Sequence, residues 1–290
     1  MRPCFHIEIT TPKKFVLNGL WFGPKRPKKV IVWVHGLGSS MFSKLKITDL
    51  LADKSTAVLV FNNRGHDKIS RIARINEKRI GKTKLGGGGM EVFSDCVDDI
   101  QGAINFTRRQ GAKKIYLAGH STGCQKSVYW AYKRSGGRGV KGIILLAPMS
   151  DYSTVNRTHG SVMVKRATQC ARALVRRGKP HELLLQSVWP LLDDAQRFLS
   201  LYTPDSVEEI FSYALPKKNP RIFKSVRVPT LVILAAKDEY GDRPAKEIAE
   251  WFDANIRAPH RVVVVPLVKH AFKGGEKQIV GEIRGFVKKY

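Results

Sequence analysis

The chain has 290 residues, 43% of them hydrophobic, which suits one large buried core and excludes a disordered or fibrous chain. It carries 51 Lys+Arg against 24 Asp+Glu, a formal +27. No nucleic-acid module or basic-aromatic repeat accompanies that charge, so it reads as a solvated basic surface, with an anionic substrate left open.

The N-terminal Met1-Arg-Pro-Cys-Phe-His-Ile-Glu8 has no apolar run of signal-peptide length. No later stretch reaches a membrane span, and a soluble cytoplasmic monomer or homodimer is expected. Cys4, Cys96, Cys124 and Cys170 are scattered, form no C-x-x-C, and read as thiols. Basic residues gather at Lys25–Lys29 and again from Lys68 to Lys84, where Glu77 is the one acid.

Phe5–Ile9 and Phe15–Leu20 predict two opening strands, in the manner of a hairpin. Apolar runs follow at Val30–Val34, Ala57–Phe61, Lys114–Ala118, Gly142–Ala147, Thr230–Ala235 and Arg261–Val265. Such runs, bounded by turn residues, predict buried parallel strands. Helical spacing covers Met90–Gln110, Thr122–Arg134, Ala245–Asn255 and Glu276–Lys288. Strands alternating with helices predict an α/β fold: a mostly parallel, eight-stranded sheet with helices on both faces. The interval 151–226 holds no strong strand and is too long for a loop. It predicts a helical cap, with helices at Ser161–Arg177, His181–Trp189, Asp193–Tyr202 and Ser206–Ala214, inserted into a core of residues 1–150 and 227–290. Gly86–Gly89 reads as a mobile hinge or turn, since no Lys-Ser/Thr follows to make a phosphate loop.

Gly119-His120-Ser121-Thr122-Gly123 matches G-x-S-x-G and lies directly between a buried strand and a helix. In that context it predicts a nucleophile elbow at Ser121. A serine hydroxyl needs a base, and the base needs a third group to fix its tautomer. His270 follows the last apolar run, and Asp238 follows the one before it. Both therefore fall at the carboxyl edge of the sheet, where Ser121 also emerges. Glu239 and Asp242 compete with Asp238 for the acid's role.

Oxyanion donors are expected at the Thr122 N–H and in the loop His35-Gly36-Leu37-Gly38-Ser39-Ser40, with Leu37 N–H ahead of Gly38. Gly36, Gly38 and His120 are candidate substrate contacts. His35 and His120 flank the site and are also candidates for simple packing. Ser39 and Ser40 either touch substrate or cap the helix beginning near Met41. Arg64, His66 and Asp67 either bind substrate or order the loop that carries them. Cys124 reads as a small buried thiol. Trp189, Phe198, Tyr202, Phe211 and Tyr213 either line an acyl pocket or pack the cap on the core.

Together the strand-His-Gly, the G-H-S-T-G elbow, the late Asp and the late His resemble the α/β-hydrolase superfamily over nearly the whole chain. Phe61-Asn-Asn-Arg-Gly-His-Asp67 and Gly119-His-Ser-Thr-Gly-Cys-Gln125 are similar to a subgroup that includes fungal siderophore-ester hydrolases. Other members resemble small carboxylesterases and lidded serine aminopeptidase-like enzymes. The resemblance implies a Ser121–Asp238–His270 triad acting on a small-molecule carboxylic ester; the sequence shows no metal-ligand spacing and no dinucleotide fingerprint, so no cofactor and no metal are expected. A thioesterase or an amide hydrolase would use the same triad. The interval 151–226 holds 12 Lys+Arg against 7 Asp+Glu, which disfavours a site for a free amine. A binding protein that retains the fold is the non-enzymatic alternative.

Overall fold

The computed structural model describes residues 3–75 and 83–290. Glu77, Lys78, Arg79 and Lys82 of the second basic stretch lie outside them. The strands are β1 (Cys4–Thr10), β2 (Phe15–Phe22), β3 (Lys29–Val34), β4 (Thr56–Phe61), β5 (Ser70–Arg74), β6 (Lys84–Gly86), β7 (Lys114–His120), β8 (Gly142–Leu146), β9 (Thr230–Ala235) and β10 (His260–Val265). The helices are α1 (Leu45–Leu51), α2 (Cys96–Arg109), α3 (Thr122–Lys133), α4 (Asp151–His159), α5 (Ser161–Arg176), α6 (Ala195–Tyr202), α7 (Arg221–Lys224), α8 (Ala245–Asn255) and α9 (Glu276–Lys289).

One sheet of ten strands runs β10-β9-β8-β7-β3-β4-β2-β5-β6, with β1 beside β2. The segment from β4 to β10 is parallel, and β1, β2, β5 and β6 pair antiparallel. The sheet exceeds the expected eight strands by β5 and β6. Neither has an apolar run to betray it: Ser70-Arg-Ile-Ala-Arg74 buries Ile72 alone.

Alternation along β3 divides the interior. Val30, Val32 and Val34 face one side with Ile100, Ile104, Val128 and Phe252 of α2, α3 and α8. Ile31 and Trp33 face the other with Ile47 and Leu51 of α1 and Ile279, Ile283 and Phe286 of α9. Full burial of this strand is why it reads as a continuous apolar run. After β3 the chain moves one way to β4, and later returns to the other side as β7. The carboxyl ends of β3 and β7 therefore flank the topological switch point, where open α/β sheets form their crevice.

Between β8 and β9, α4, α5 and α6 build a third cluster, from Val155 through Ala167, Ala171, Trp189 and Phe198 to Tyr202. By Ile210 the chain has rejoined the first cluster. His181–Trp189 and Ser206–Ala214 are not helices. Pro180 and Pro190 bracket the first, Leu183 bridges Asp194, and the Trp189 Nε1–H donates to the Asp193 carboxylate 2.8 Å away. In the second, the Glu208 and Glu209 side chains are drawn into the interior. The Gly86–Gly89 run is a buried turn. Gly88 O accepts from Arg197 Nε at 3.0 Å, and a Cβ on Gly89 would lie 2.1 Å from Leu192 O. Among the described residues no helix is long and apolar enough to cross a membrane.

Candidate active site

Residue Val34 pairs with Gly119 in the β3–β7 ladder, so the two loops leaving these strands meet over the switch point. Ser121 follows β7 with φ 56° and ψ −129°, a left-handed backbone on a non-glycine residue. Such a conformation costs on the order of 1–3 kcal/mol and persists only where the surroundings impose it. Here the glycines make it possible. A Cβ on Gly119 would lie 2.3 Å from Gly123 O, and one on Gly123 2.2 Å from Val34 O. The Ser121 N–H donates to Leu146 O at 2.9 Å, and Cys124 N–H closes the first turn of α3 on Ser121 O at 2.8 Å. Those contacts aim the serine side chain outward.

A cavity of about 440 Å³ opens there. Gly36, Leu37, His120, Ser121 and His270 line it, together with Lys44, Met149, Asp151, Tyr202 and Tyr240. Gly38, Thr122 and Asp238 stand off its wall. Gly38 instead packs against the glycine turn, where a Cβ on Gly88 would meet Gly38 N at 2.8 Å. The N–H groups of Leu37 and Thr122 meet no acceptor among the described residues. Unpaired donors at a β-loop and a helix N-terminus form a setting for an anion.

His270 Nδ1 lies 2.8 Å from Asp238 Oδ2. The His270 N–H donates to Glu239 Oε2 at 2.9 Å, while Asp242 pairs with Arg243 at 3.0 Å. Three neighbouring carboxylates are thus separated by role, and Asp238 is the one on the imidazole. Tyr240 sets its ring edge-on to His270 at 4.8 Å. The Ser121 hydroxyl oxygen lies 3.7 Å from Met149 Sδ, and among the described residues no hydrogen bond joins it to His270.

The flanking histidines pack. His120 Nε2 donates to the His270 carbonyl at 3.0 Å, and burial pushes its pKa well below the ordinary imidazole range. His35 accepts the Asn63 N–H on Nε2 at 3.3 Å, so its proton sits on Nδ1 and goes to Gly36 O at 2.9 Å. Burial first, then nearby Lys126, lowers its pKa to about 3. It is a neutral strut between the ends of β3 and β4.

Arg64 is buried away from the cavity. Its guanidinium reaches Asp99 at 2.7 Å and Asp98 at 3.0 Å, and it covers the Phe15 ring at 4.3 Å. His66 Nδ1 lies 2.9 Å from Asn63 O in the same loop, and Asp67 is exposed. Ser39 lines the cavity, whereas Ser40 Oγ accepts the Phe42 N–H at 3.4 Å. The Cys124 thiol points at the Gly119 and Leu146 carbonyls at 3.2 and 3.3 Å, and burial raises its pKa well above the usual value. Of the five aromatic candidates only Tyr202 lines the cavity. Trp189 and Phe198 pack with it in the third cluster, Phe211 joins Phe223 and Phe252, and the Tyr213 hydroxyl accepts the Ser150 N–H at 2.9 Å.

Lys44, Met149, Asp151 and Tyr240 were not among the sequence candidates. Met149 and Asp151 become legible only once Pro148 is seen to end β8 at the serine. Among the described residues no three His, Cys, Asp or Glu side chains gather to hold a metal.

The family model described as "Protein of unknown function (DUF1749)" matches residues 82–262, more than half of the chain and all of the segment from α2 to β9. The chain belongs to the DUF1749 family. This DUF1749 member is also 26% identical over 242 residues to the Mycoplasma genitalium protein named "Putative esterase/lipase 2", covering 79% of each chain. Among solved structures it superposes on DcsB in complex with its substrate analogue, at a TM-score of 0.69, 13% identity and 99% of both chains. The α/β hydrolase GrgF from Penicillium superposes at 0.66 with 17% identity, again over 99% of both chains. The Pyrococcus furiosus esterase Pf2001 gives 0.60 with 17% identity, over 99% of this chain and 91% of that one. At these identities the likeness establishes the fold, and the fold is that of the α/β hydrolases.

Proposed function

We propose that the protein is a serine hydrolase cleaving carboxylic esters through an acyl intermediate on Ser121. The reading rests on one observation: His270, paired with Asp238 at 2.8 Å, shares a cavity with a serine held on a left-handed elbow. Asp238 holds the His270 proton on Nδ1 and leaves Nε2 free to act as base. In the attacking state the Ser121 hydroxyl exchanges the Met149 thioether for His270 Nε2. The Oγ–carbonyl bond forms as the proton passes to Nε2, and the oxyanion falls to the Leu37 and Thr122 N–H groups. Collapse expels the alcohol, which takes the proton from His270. Water then repeats the sequence on the acyl-enzyme and releases the acid. One oxyanion donor is worth on the order of 3–4 kcal/mol of transition-state stabilisation. Residues 151–226 serve as the cap, because α4 and α6 supply Asp151, Val155 and Tyr202 to the cavity wall.

The test is hydrolysis of short p-nitrophenyl esters by the wild type, Ser121→Ala and Asp238→Asn. Both variants should lose kcat by at least about 10³-fold, because triad members act as a unit. Wild-type turnover that survives Ser121→Ala would refute the assignment.

A further inference from the structure

The ester-hydrolase reading leaves one acid on the cavity wall unused. Asp151, the first residue of α4, lines the cavity and is only 7% exposed. Its Oδ2 accepts from Gln125 Nε2 at 2.8 Å, and no Lys, Arg or His side chain among the described residues forms an ion pair with it. Gln125 also donates to Met149 O at 3.1 Å, which fixes its amide with nitrogen toward Asp151. A buried carboxyl is costly unless it is paired or neutral. Helix capping does not account for it. Ser150 Oγ already caps α4 by accepting the Ser153 N–H at 3.1 Å, and an exposed acid would serve the helix dipole at lower cost.

Asp151 Oδ1 has no protein partner among the described residues, and the residue lines the cavity. Around it the wall is largely apolar, with Leu37, Met149, Val155 and Leu191. The charged groups that act on Asp151 are Glu208 and Glu209 on one side of the balance and Arg197 and Lys126 on the other. Burial, then the two glutamates, push its pKa well above the ordinary carboxylate range. Because Gln125 Nε2 donates to Oδ2, Oδ1 is the oxygen on which this carboxyl takes up a proton. A protonated carboxyl there offers both an O–H donor and a lone pair. The complementary group is a hydroxyl, which can accept and donate in return. An ammonium group would require the ionised acid, which burial and the two glutamates disfavour.

We propose that Asp151 is a specificity-determining residue that hydrogen-bonds a substrate hydroxyl, so that the preferred ester is hydroxylated on its acyl or its alcohol part. The proposal rests on the Ser121 reading above.

The experiment compares kcat/KM within matched ester pairs for the wild type, Asp151→Asn and Asp151→Leu. One pair is p-nitrophenyl butanoate against its 3-hydroxy analogue, and the other is propyl butanoate against 2-hydroxyethyl butanoate followed by pH-stat. A fluorophosphonate titration of Ser121 counts competent active sites, so a partly unfolded variant does not distort the ratios. The wild type should favour the hydroxylated member of one pair by about tenfold or more, since a site built around a hydroxyl rejects the analogue lacking it. The responding pair tells the acyl side from the alcohol side. Asp151→Asn, which keeps a donor and an acceptor, should hold the ratio within a few-fold, and Asp151→Leu should remove it. A Ser121-dependent activity with no hydroxyl preference in either pair, or with a preference unchanged in Asp151→Leu, overturns this proposal alone. A wild-type preference for an amino-substituted ester that Asp151→Asn abolishes overturns it in favour of an ammonium ligand. Hydrolysis that survives Ser121→Ala overturns the nucleophile reading, and this proposal with it.

Discussion

Replacing Lys126 by Met should be among the most damaging single changes outside the proposed triad. Lys126 lies on α3, one turn beyond the elbow, and its ammonium is fully buried. It sits 2.6 Å from Glu91 Oε1 and 3.1 Å from Asn63 Oδ1. Glu91 also meets Arg197 of α6 at 3.1 Å, and Arg197 meets Glu208 at 2.7 Å. Two cations and two anions thus balance inside the protein. Burial alone would raise the Glu91 pKa, yet Lys126 and Arg197 outweigh it and hold the carboxyl below its usual range. Removing Lys126 leaves one negative charge in excess in a dry environment, which costs about 3–5 kcal/mol. That is a large share of a total stability of about 5–15 kcal/mol. Removing Glu91 as well, in Lys126→Met/Glu91→Leu, restores the balance through the remaining Arg197–Glu208 pair. The double variant should therefore recover about 1–3 kcal/mol relative to the sum of the two single changes. Urea unfolding with a shared m-value reads all four proteins. A cost below about 1 kcal/mol for Lys126→Met, or strict additivity in the cycle, would refute the account of a balanced buried cluster.

Two further predictions concern backbone space and pH. Gly281 and Gly123 both lie in helices, but a Cβ on Gly281 meets nothing within 4 Å, whereas one on Gly123 meets Val34 O at 2.2 Å. Gly281→Ala should stabilise by about 0.5–1 kcal/mol and Gly123→Ala should destabilise by about 3 kcal/mol or more; thermal or urea unfolding that moves both the same way would contradict this. Glu209 is buried against Ser150 Oγ at 2.6 Å, and burial pushes its pKa from 4.5 up to about 7. The fold thus keeps a proton that the unfolded chain releases, so stability falls as pH rises from 4.5 to about 7 and is constant above. Glu209→Gln does not titrate, so its stability relative to wild type should improve by about 3 kcal/mol between pH 4.5 and pH 8. A pH-independent difference in urea unfolding would remove Glu209 from the account.

The parallel half of the sheet was legible because each of its strands is buried on both faces or ends at a marked turn. Burial writes itself as an unbroken apolar run, as in Val30-Ile-Val-Trp-Val34. The edge strands β5 and β6 carry no such signature, since each pairs through its backbone and buries one residue. The interval 151–226 misled the reading for a related reason. The stretches His181–Trp189 and Ser206–Ala214 have the composition of helices, but Trp189 is tied to Asp193 across Pro190, and Glu208 and Glu209 are held by Arg197 and Ser150, partners outside each stretch that its own periodicity does not encode. At the candidate site, Ser121, Asp238 and His270 could be named because strand ends place them. Lys44, Met149 and Asp151 could not, because they reach the cavity through the path of a loop and of α4.

The net charge illustrates how far composition can be taken. The formal +27 counts every ionisable group as though solvent met them all. Among the described residues eight carboxylates are buried, including Glu91, Asp98, Asp99, Asp151, Glu208 and Glu209, against three cations, Arg64, Lys126 and Arg197. Acids are therefore withdrawn from the surface far more often, in proportion, than bases. What solvent meets is more positive than the composition states. The same withdrawal builds the interior, since these acids anchor Arg64 beneath the β4 loop and tie α6 to α3 through Glu91. A strongly basic chain thus follows from where its few acids are needed, and its surface field attracts small anions over roughly a Debye length, about 8–10 Å near physiological salt.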